Sequence, residues 1–229
     1  KEICEQPDAI IASLMGRLSS DKGLFNLDDF NLSIEEIKKI SKIILTGMGT
    51  SLHAAMLARL WMERIAGIPA EWDNSSEFRY REPILEKDSL FISVSQSGET
   101  ADTLAAMEEA RRKNITQITL CNYLNTQASQ IANQTLQIRA GLEVGVAATK
   151  TFTCSLVTLY TLAIYFGVQR QHISHKQAAI LTEELSRLPE MIGGILVDQS
   201  QYEELASKYH ASSDFLFLGR GYNYPVALE

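Results

Sequence analysis

The sequence predicts an α/β fold: a doubly wound, five-stranded parallel sheet with helices on both faces and helical flanks. Two observations predict it. Short apolar runs alternate with amphipathic helical stretches, and three of these runs are almost continuously apolar, as strands buried on both faces of a parallel sheet must be. Strands that alternate with helices imply right-handed crossovers, which cover both faces of the sheet with helices.

Five segments are predicted as strands. The three most apolar are residues 43–46, 90–94 and 118–121, and residues 70–74 and 135–138 complete the sheet. Helical patterns lie between and around them, at residues 8–18, 33–39, 51–66, 100–113, 126–132, from Thr149 onward, 173–188 and 199–209. Residues 75–82 mix aromatic and charged side chains, which favours a helix at an interface.

The organisation predicted from these elements has four parts. Residues 1–40 are a helical lead-in, residues 41–170 the first α/β domain, and residues 171–212 connecting helices. Residues 213–229 resemble the start of a second such unit, because the run at 215–221 repeats the pattern at 43–49 and predicts another strand. A chain that stops soon after a new strand is expected to be a piece of a longer protein.

Composition excludes several classes of function. The chain has 21 basic and 28 acidic residues, a formal net charge of −7, which repels nucleic acid and anionic membranes. The apolar run at 152–167 is short for a membrane span and carries four Ser or Thr residues, so a buried helix is predicted. Three widely spaced cysteines indicate neither a disulfide framework nor a metal site, and a reducing cytoplasm is expected.

Two loops follow predicted strands and precede helices, at residues 47–51 and 93–100. Helix N-termini at the carboxyl ends of parallel strands offer free N–H groups that suit a phosphate, and Ser or Thr hydroxyls complete such a cradle. The alternative is that Ser51 and Thr100 are ordinary helix N-caps. Two such loops in one sheet favour the ligand site. Leu52 stands where a dinucleotide fingerprint needs its third glycine, and there is no P-loop.

A third candidate element is the segment at residues 141–151, whose small residues would let the backbone approach a sugar. Within it, Glu143 and Lys150 are interpreted as a pair flanking a helix rather than as ligand contacts. His53 either lines the pocket or packs near it. His172 and His175 lack a neighbouring carboxylate or cysteine, so no metal site is predicted.

These motifs carry a resemblance. The runs at 49–51, 76–81, 95–103 and 145–150 resemble the sugar isomerase (SIS) half of the glutamine–fructose-6-phosphate aminotransferase family, and the likeness extends over essentially the whole chain. It implies a flavodoxin-like SIS domain that binds fructose 6-phosphate or a related sugar phosphate, without metal or organic cofactor, in a cytoplasmic homodimer. By position, the implied substrate-binding residues are Thr50, Ser51, Ser95, Gln96, Ser97, Thr100 and Val146.

The same resemblance implies that the chain carries no catalytic residue of its own. The parent reaction converts fructose 6-phosphate and glutamine to glucosamine 6-phosphate and glutamate for hexosamine synthesis. The glutaminase cysteine and the isomerase acid/base residues of the family have no counterpart here; neither Cys4 nor Glu229 matches them. Two alternatives stay open: a stand-alone SIS isomerase or amino-sugar-phosphate deglycase, and a non-catalytic sugar-phosphate sensor.

Overall fold

The computed structural model describes residues 1–19, 24–25, 30 and 32–229. A short antiparallel pair precedes a five-stranded sheet in which every neighbouring pair is parallel. The strands in chain order are β1 (Leu18–Ser19), β2 (Leu24–Phe25), β3 (Lys42–Gly47), β4 (Ala70–Asn74), β5 (Ser89–Val94), β6 (Thr116–Cys121) and β7 (Gln134–Gln137). The five-stranded sheet has the order β4-β3-β5-β6-β7, so the predicted doubly wound parallel sheet is confirmed.

Helices connect and flank these strands. In chain order they are α1 (Gln6–Leu14), α2 (Ile34–Lys39), α3 (Thr50–Arg64), α4 (Ser75–Phe78), α5 (Ala101–Arg112), α6 (Gln127–Ile131), α7 (Lys150–Gln169), α8 (His175–Ser186), α9 (Leu188–Val197), α10 (Ser200–Tyr209) and α11 (Asn223–Leu228). Each predicted helix overlaps one of these, and several N-termini are set by caps. Ser33, for example, forms a capping box with Glu36 at the start of α2.

Alternation along the strands explains why both faces of the sheet need helices. Ile43 and Leu45 of β3 face one cluster, which α3 and α7 complete with side chains such as Met62 and Phe166. Ile44 of the same strand faces the opposite cluster, built with α4, α5 and α6. The two faces of one strand are therefore both buried, as the continuous apolar runs predict.

Helix α7 is the centre of a third layer. Its inner face covers the sheet, and its outer face packs on Ile10 and Leu14 of α1 and on Leu185 of α8. This helix is long and apolar enough to cross a membrane by length and composition, but 67% of its most apolar window is buried inside the fold. The predicted buried helix is therefore confirmed as a core helix.

Three sequence predictions need correction. The first helix ends at Leu14 instead of Leu18, because Gly16 takes a left-handed conformation (φ +73°) that stops the helix. The lead-in at residues 1–40 is therefore not purely helical, since β1 and β2 follow that turn. Residues 215–218, predicted as a strand, pair with no strand among the described residues, and their side chains are exposed. Without a neighbouring ladder, an apolar run does not form a strand.

Candidate functional site

The candidate site lies at the point where the strand order reverses. From β3 the chain crosses to β4 on one side and then to β5 on the other, so the carboxyl ends of β3 and β5 flank a crevice. In open α/β sheets, ligands bind in this crevice. The loop at residues 47–50 leaves β3 here, and the loop at residues 95–100 leaves β5. The two loops singled out in the sequence are therefore neighbours.

The first loop brings the N-terminus of α3 close to the end of β3. A side chain at Gly47 would place its Cβ 2.7 Å from the backbone of Ser51, so glycine is needed for this close approach. Gly49 is the N-cap of α3 and has φ +51°. Because glycine has no capping side chain, the N-terminus of α3 carries no side-chain cap. The helix therefore presents its positive end to the crevice.

The second loop is a tight turn held by its own hydroxyl groups. The backbone N–H of Gly98 donates to Ser95 Oγ (3.0 Å), and the N–H of Glu99 donates to Ser97 Oγ (3.1 Å). Thr100 is the N-cap of α5 but makes no side-chain capping bond, and its Oγ1 lies 3.4 Å from Ser95 Oγ. Thr100 is therefore the N-cap residue of α5 by position, but its side chain does not cap the helix. Ser51 is not an N-cap, since that position of α3 is held by Gly49.

These two loops form two walls of the site, and the third wall is the segment at residues 141–148, which leads into α7. Glu143 caps that helix: its Oε1 accepts N–H bonds from Thr149 (2.9 Å) and Lys150 (3.0 Å), and its carboxylate also accepts the hydroxyl of Thr151. Lys150 is buried and its Nζ lies 2.6 Å from Glu5 Oε2. Both side chains are therefore occupied within the fold, which agrees with their interpretation as residues flanking a helix.

These three walls enclose a cavity of about 340 Å³. Its lining comes from both sides of the crevice and from the first turns of α7: Met48, Gly49, Thr50, Ser51, Gln96, Glu143, Gly145, Val146, Ala148, Thr151, Phe152 and Ser155. Of the described residues that line it, none is lysine or arginine. A phosphate bound there would depend on hydroxyls, amides and helix N-termini.

The cavity brings together four of the seven predicted site residues, namely Thr50, Ser51, Gln96 and Val146. The other three, which are Ser95, Ser97 and Thr100, form the turn around Gln96 but do not line this cavity. The side chain of Val146 is fully exposed, which leaves its backbone accessible to a ligand.

Some contacts at the site have no signal in the local sequence. Glu229 reaches back to the N-terminus of α3, where its carboxylate accepts the hydroxyl hydrogen of Thr50 and lies 2.6 Å from His53 Nδ1. The hydroxyl of Thr50 is therefore engaged, and His53 borders the site through this contact. Thr151, Phe152 and Ser155 of α7 also line the cavity; their positions on one face of the helix were the available signal.

Other sites are not indicated. In the part of the chain that the structure describes, no group of three or more His, Cys, Asp or Glu side chains could hold a metal ion. The two buried thiols lie away from the cavity lining, and burial raises the pKa of Cys121 and raises that of Cys154 to about 12. Neither has the character of a reactive thiolate.

Comparison with known proteins agrees with this architecture. Residues 36–165, more than half of the chain, match the SIS domain family. The chain is 41% identical over its full length to the glutamine–fructose-6-phosphate aminotransferases (isomerising) of Symbiobacterium thermophilum and Clostridium tetani, and it spans 38% of the length of each.

Among solved structures, the C-terminal domain of the glucosamine-fructose-6-phosphate aminotransferase from Francisella tularensis superposes with a TM-score of 0.93 at 33% identity. That match covers 99% of this chain and 63% of the solved one. The family match over residues 36–165 agrees with the structure. The structure has a parallel sheet with the order β4-β3-β5-β6-β7 and two hydroxyl-bearing loops at its switch point. The chain belongs to the SIS domain family.

Proposed function

We propose that the chain binds fructose 6-phosphate across this cavity and the adjoining turn at residues 95–100, with the phosphate between the loops 47–51 and 95–100 and the sugar against the segment 143–148. One observation carries the proposal: α3 and α5 both begin at the same switch point with no side-chain cap on their backbone N–H groups, among five hydroxyl or amide side chains. Those side chains are Ser51, Ser95, Gln96, Ser97 and Thr100. The Glu229 carboxylate at α3 contacts the side chains of Thr50 and His53, not the backbone N–H groups. An anion is the ligand that such an arrangement stabilises.

Each residue has a proposed part. The hydroxyls of Ser51, Ser97 and Thr100 donate hydrogen bonds to phosphate oxygens, and the Gln96 amide adds a further donor. Ser95 is buried and accepts the N–H of Gly98, so it also fixes the shape of the turn. Val146 contacts the sugar through its backbone, while Thr50 lies beside the phosphate with its hydroxyl held by Glu229.

We extend the proposal to the whole protein. The relatives that match the full chain are named glutamine–fructose-6-phosphate aminotransferase, and the chain covers just over a third of their length. The whole protein is proposed to form glucosamine 6-phosphate and glutamate from fructose 6-phosphate and glutamine. This chain contributes sugar-phosphate binding and positioning but no catalytic residue, and it needs no cofactor.

The proposal also covers organisation. Residues 213–229 are the start of a second SIS unit, whose remaining strands would pair with the exposed segment at 215–218. The protein is proposed to be a cytoplasmic homodimer, with residues 75–82 at its interface. A stand-alone isomerase or deglycase and a non-catalytic sensor are not favoured, because relatives that match the full chain carry the aminotransferase name.

Calorimetric titration of fructose 6-phosphate into the 229-residue chain tests this function. The double variant Ser97→Ala, Thr100→Ala removes two donors to a charged group, each worth about 1.5–3 kcal/mol, so affinity is expected to fall at least about 100-fold. Unphosphorylated fructose should not bind. The control variant Ser207→Ala, Ser212→Ala removes two exposed hydroxyls elsewhere and should bind like the parent chain.

Two results would contradict the proposal. One is equal affinity of the parent chain and the Ser97→Ala, Thr100→Ala variant, which would place the phosphate elsewhere. The other is a folded chain that binds no fructose 6-phosphate at all. Circular dichroism of each variant establishes that loss of binding is not loss of fold.

A further inference from the structure

The N-terminal residues of the chain lie directly against the third wall of the cavity. Helix α1 anchors them, because Ile10 and Leu14 pack on Val157 and Ile164 of α7. The residues just before α1 form a hydrogen-bonded turn in which the N–H of Glu5 is shared between Lys1 and Glu2 carbonyls. This turn places Glu2 and Glu5, three residues apart, on the side that faces the start of α7 and the segment before it.

Glu2 makes the contact nearest the cavity. Its Oε1 accepts the backbone N–H of Val144 (2.6 Å), and its two carboxylate oxygens accept the N–H of Gly145 (3.2 and 3.1 Å). A Cβ on residue 145 would lie 2.6 Å from Glu2 Oε2, so the glycine makes room for this approach. Gly145 and its neighbour Val146 line the cavity.

The segment held in this way has no regular structure of its own. Residues 141–148 form neither helix nor strand, and Val144 and Val146 have exposed side chains. Asn122 holds the start of the segment through Gly141 O (2.6 Å), and Glu143 ties it to the N-terminus of α7. Glu2 supplies the bonds at its tip. Exposed loops with few internal hydrogen bonds open readily. The bonds at the tip of this segment therefore strongly affect how often it adopts the closed conformation seen here.

Two further contacts hold the N-terminal residues against α7. Lys150, buried at the start of α7, pairs with Glu5, and Gln6 Oε1 accepts the hydroxyl hydrogen of Thr153 (2.6 Å). The charges are matched locally: the hydrogen bonds from Val144 and Gly145 lower the pKa of the Glu2 carboxyl, and Lys150 lowers that of Glu5. Glu2 is therefore an ionised acceptor at neutral pH, which is the stronger kind of hydrogen-bond partner.

We infer that Glu2 is a positioning residue: it holds the tip of segment 141–148 in the form that contacts the sugar, without touching the substrate itself. The inference rests on the proposed function, since it assigns the sugar end of that same site. It has a specific consequence. Glu2 should influence the affinity for the sugar phosphate but not the affinity for phosphate alone, because the phosphate loops at 47–51 and 95–100 do not depend on it.

The test compares Glu2→Ala and Glu2→Gln with the parent chain in two measurements. Backbone amide exchange of Val144 and Gly145 should be about tenfold faster in Glu2→Ala, which has lost the acceptor. Fructose 6-phosphate should bind about fivefold more weakly, the cost of ordering a loop, while the affinity for inorganic phosphate stays unchanged. Glu2→Gln keeps one carbonyl oxygen, so it should restore part of both effects.

Glu204→Ala, which removes the same charge from an exposed position on α10, is the matched control and should behave like the parent chain. Equal fructose 6-phosphate affinity in Glu2→Ala and the parent chain would overturn the inference. An equal loss for fructose 6-phosphate and phosphate would overturn it as well, since it would indicate a general structural effect. Failure of the parent chain to bind fructose 6-phosphate would instead overturn the proposed function on which the inference rests.

Discussion

Substitution of Gly98 by alanine should destabilise the turn at residues 95–100 more than any other single methyl group added to that turn. Gly98 has φ +70°, a conformation that L side chains rarely adopt. A Cβ at this position would lie 2.7 Å from Thr126 Cβ and closer still to its Oγ1. Thr126 cannot retreat freely, because its hydroxyl caps α6 by accepting the N–H of Ser129.

The magnitude follows from two separate costs. A non-glycine residue in the left-handed region loses about 1–2 kcal/mol. Overpacking against a side chain that is held in place adds about 1–3 kcal/mol. Gly98→Ala should therefore lower the free energy of unfolding by about 3 kcal/mol. Gly16→Ala isolates the first cost, since Gly16 has φ +73° but its added Cβ meets nothing within 4 Å, and about 1 kcal/mol is expected.

Urea unfolding followed by circular dichroism measures both variants. The difference between them, about 2 kcal/mol, is the contact with Thr126. The turn should also lose its ligand: Gly98 donates to Ser95 Oγ and accepts the N–H of Ala128, so a shift of Gly98 displaces the hydroxyls of the turn. Phosphate affinity should fall in Gly98→Ala and remain in Gly16→Ala. Equal destabilisation by the two substitutions would show that the contact with Thr126 costs nothing.

Three further predictions concern the core, the thiols and the pH dependence. Phe91→Ala, in the middle of β5 against Phe78, should cost about 3–5 kcal/mol of unfolding free energy in urea titrations, whereas Ile84→Ala at an exposed position should change it by less than about 0.5 kcal/mol. At pH 8 a thiol reagent should modify Cys4 rapidly in the native chain, with Cys121 and Cys154 reacting only in denaturant because burial raises their pKa; a second fast thiol would contradict this. Hydrogen bonds from Val144 and Gly145 hold the pKa of the Glu2 carboxyl in the folded chain below its ordinary value. The stability that Glu2 contributes is therefore present above the ordinary pKa and is lost as the pH falls through the lowered pKa of the folded chain. The stability difference between the parent chain and Glu2→Gln should therefore disappear in acid, and a difference that persists there would count against the contact.

The strands of the sheet were predictable because their signal is local. A parallel strand that is buried on both faces must be apolar at consecutive positions, as β3 and β5 are, and hydrophobicity alone then locates it. Residues 70–74 are less apolar, yet their predicted bounds match β4. This strand lies at an edge of the sheet, and most of its residues are only partly buried, which explains its lower hydrophobicity. Capping boxes at Ser33 and Ser174 mark the observed starts of α2 and α8.

The errors arise where structure depends on distant partners. The sequence pattern predicts no helix between residues 188 and 199, where Gly193 and Gly194 lower the helix propensity. Helix α9 nevertheless forms there and packs beside α1, with Ile192 against the cluster that α1, α7 and α8 share. Tertiary contact compensates for propensity there. The run at 215–218 shows the reverse case: its residues favour a strand, but no described neighbour provides a ladder.

The loops of the site were predictable because their signal is local, whereas its long-range contacts were not. Loops that follow strands and precede helices can be read from the sequence, and the switch-point rule then places them together. The contacts of Glu229 with Thr50 and His53, and of Glu2 with Val144 and Gly145, join residues more than 140 positions apart in the chain. Neither has a local pattern that could reveal it.

We expect the two loops at the switch point to hold the phosphate. Backbone amide shifts in a ¹⁵N-labelled chain, recorded while fructose 6-phosphate and then inorganic phosphate are added, test it most directly. We predict that both ligands shift the amides of residues 49–51 and 95–101, and that only fructose 6-phosphate also shifts those of residues 144–147. If both ligands shift amides elsewhere but leave those of residues 95–101 unchanged, the phosphate does not bind at these loops.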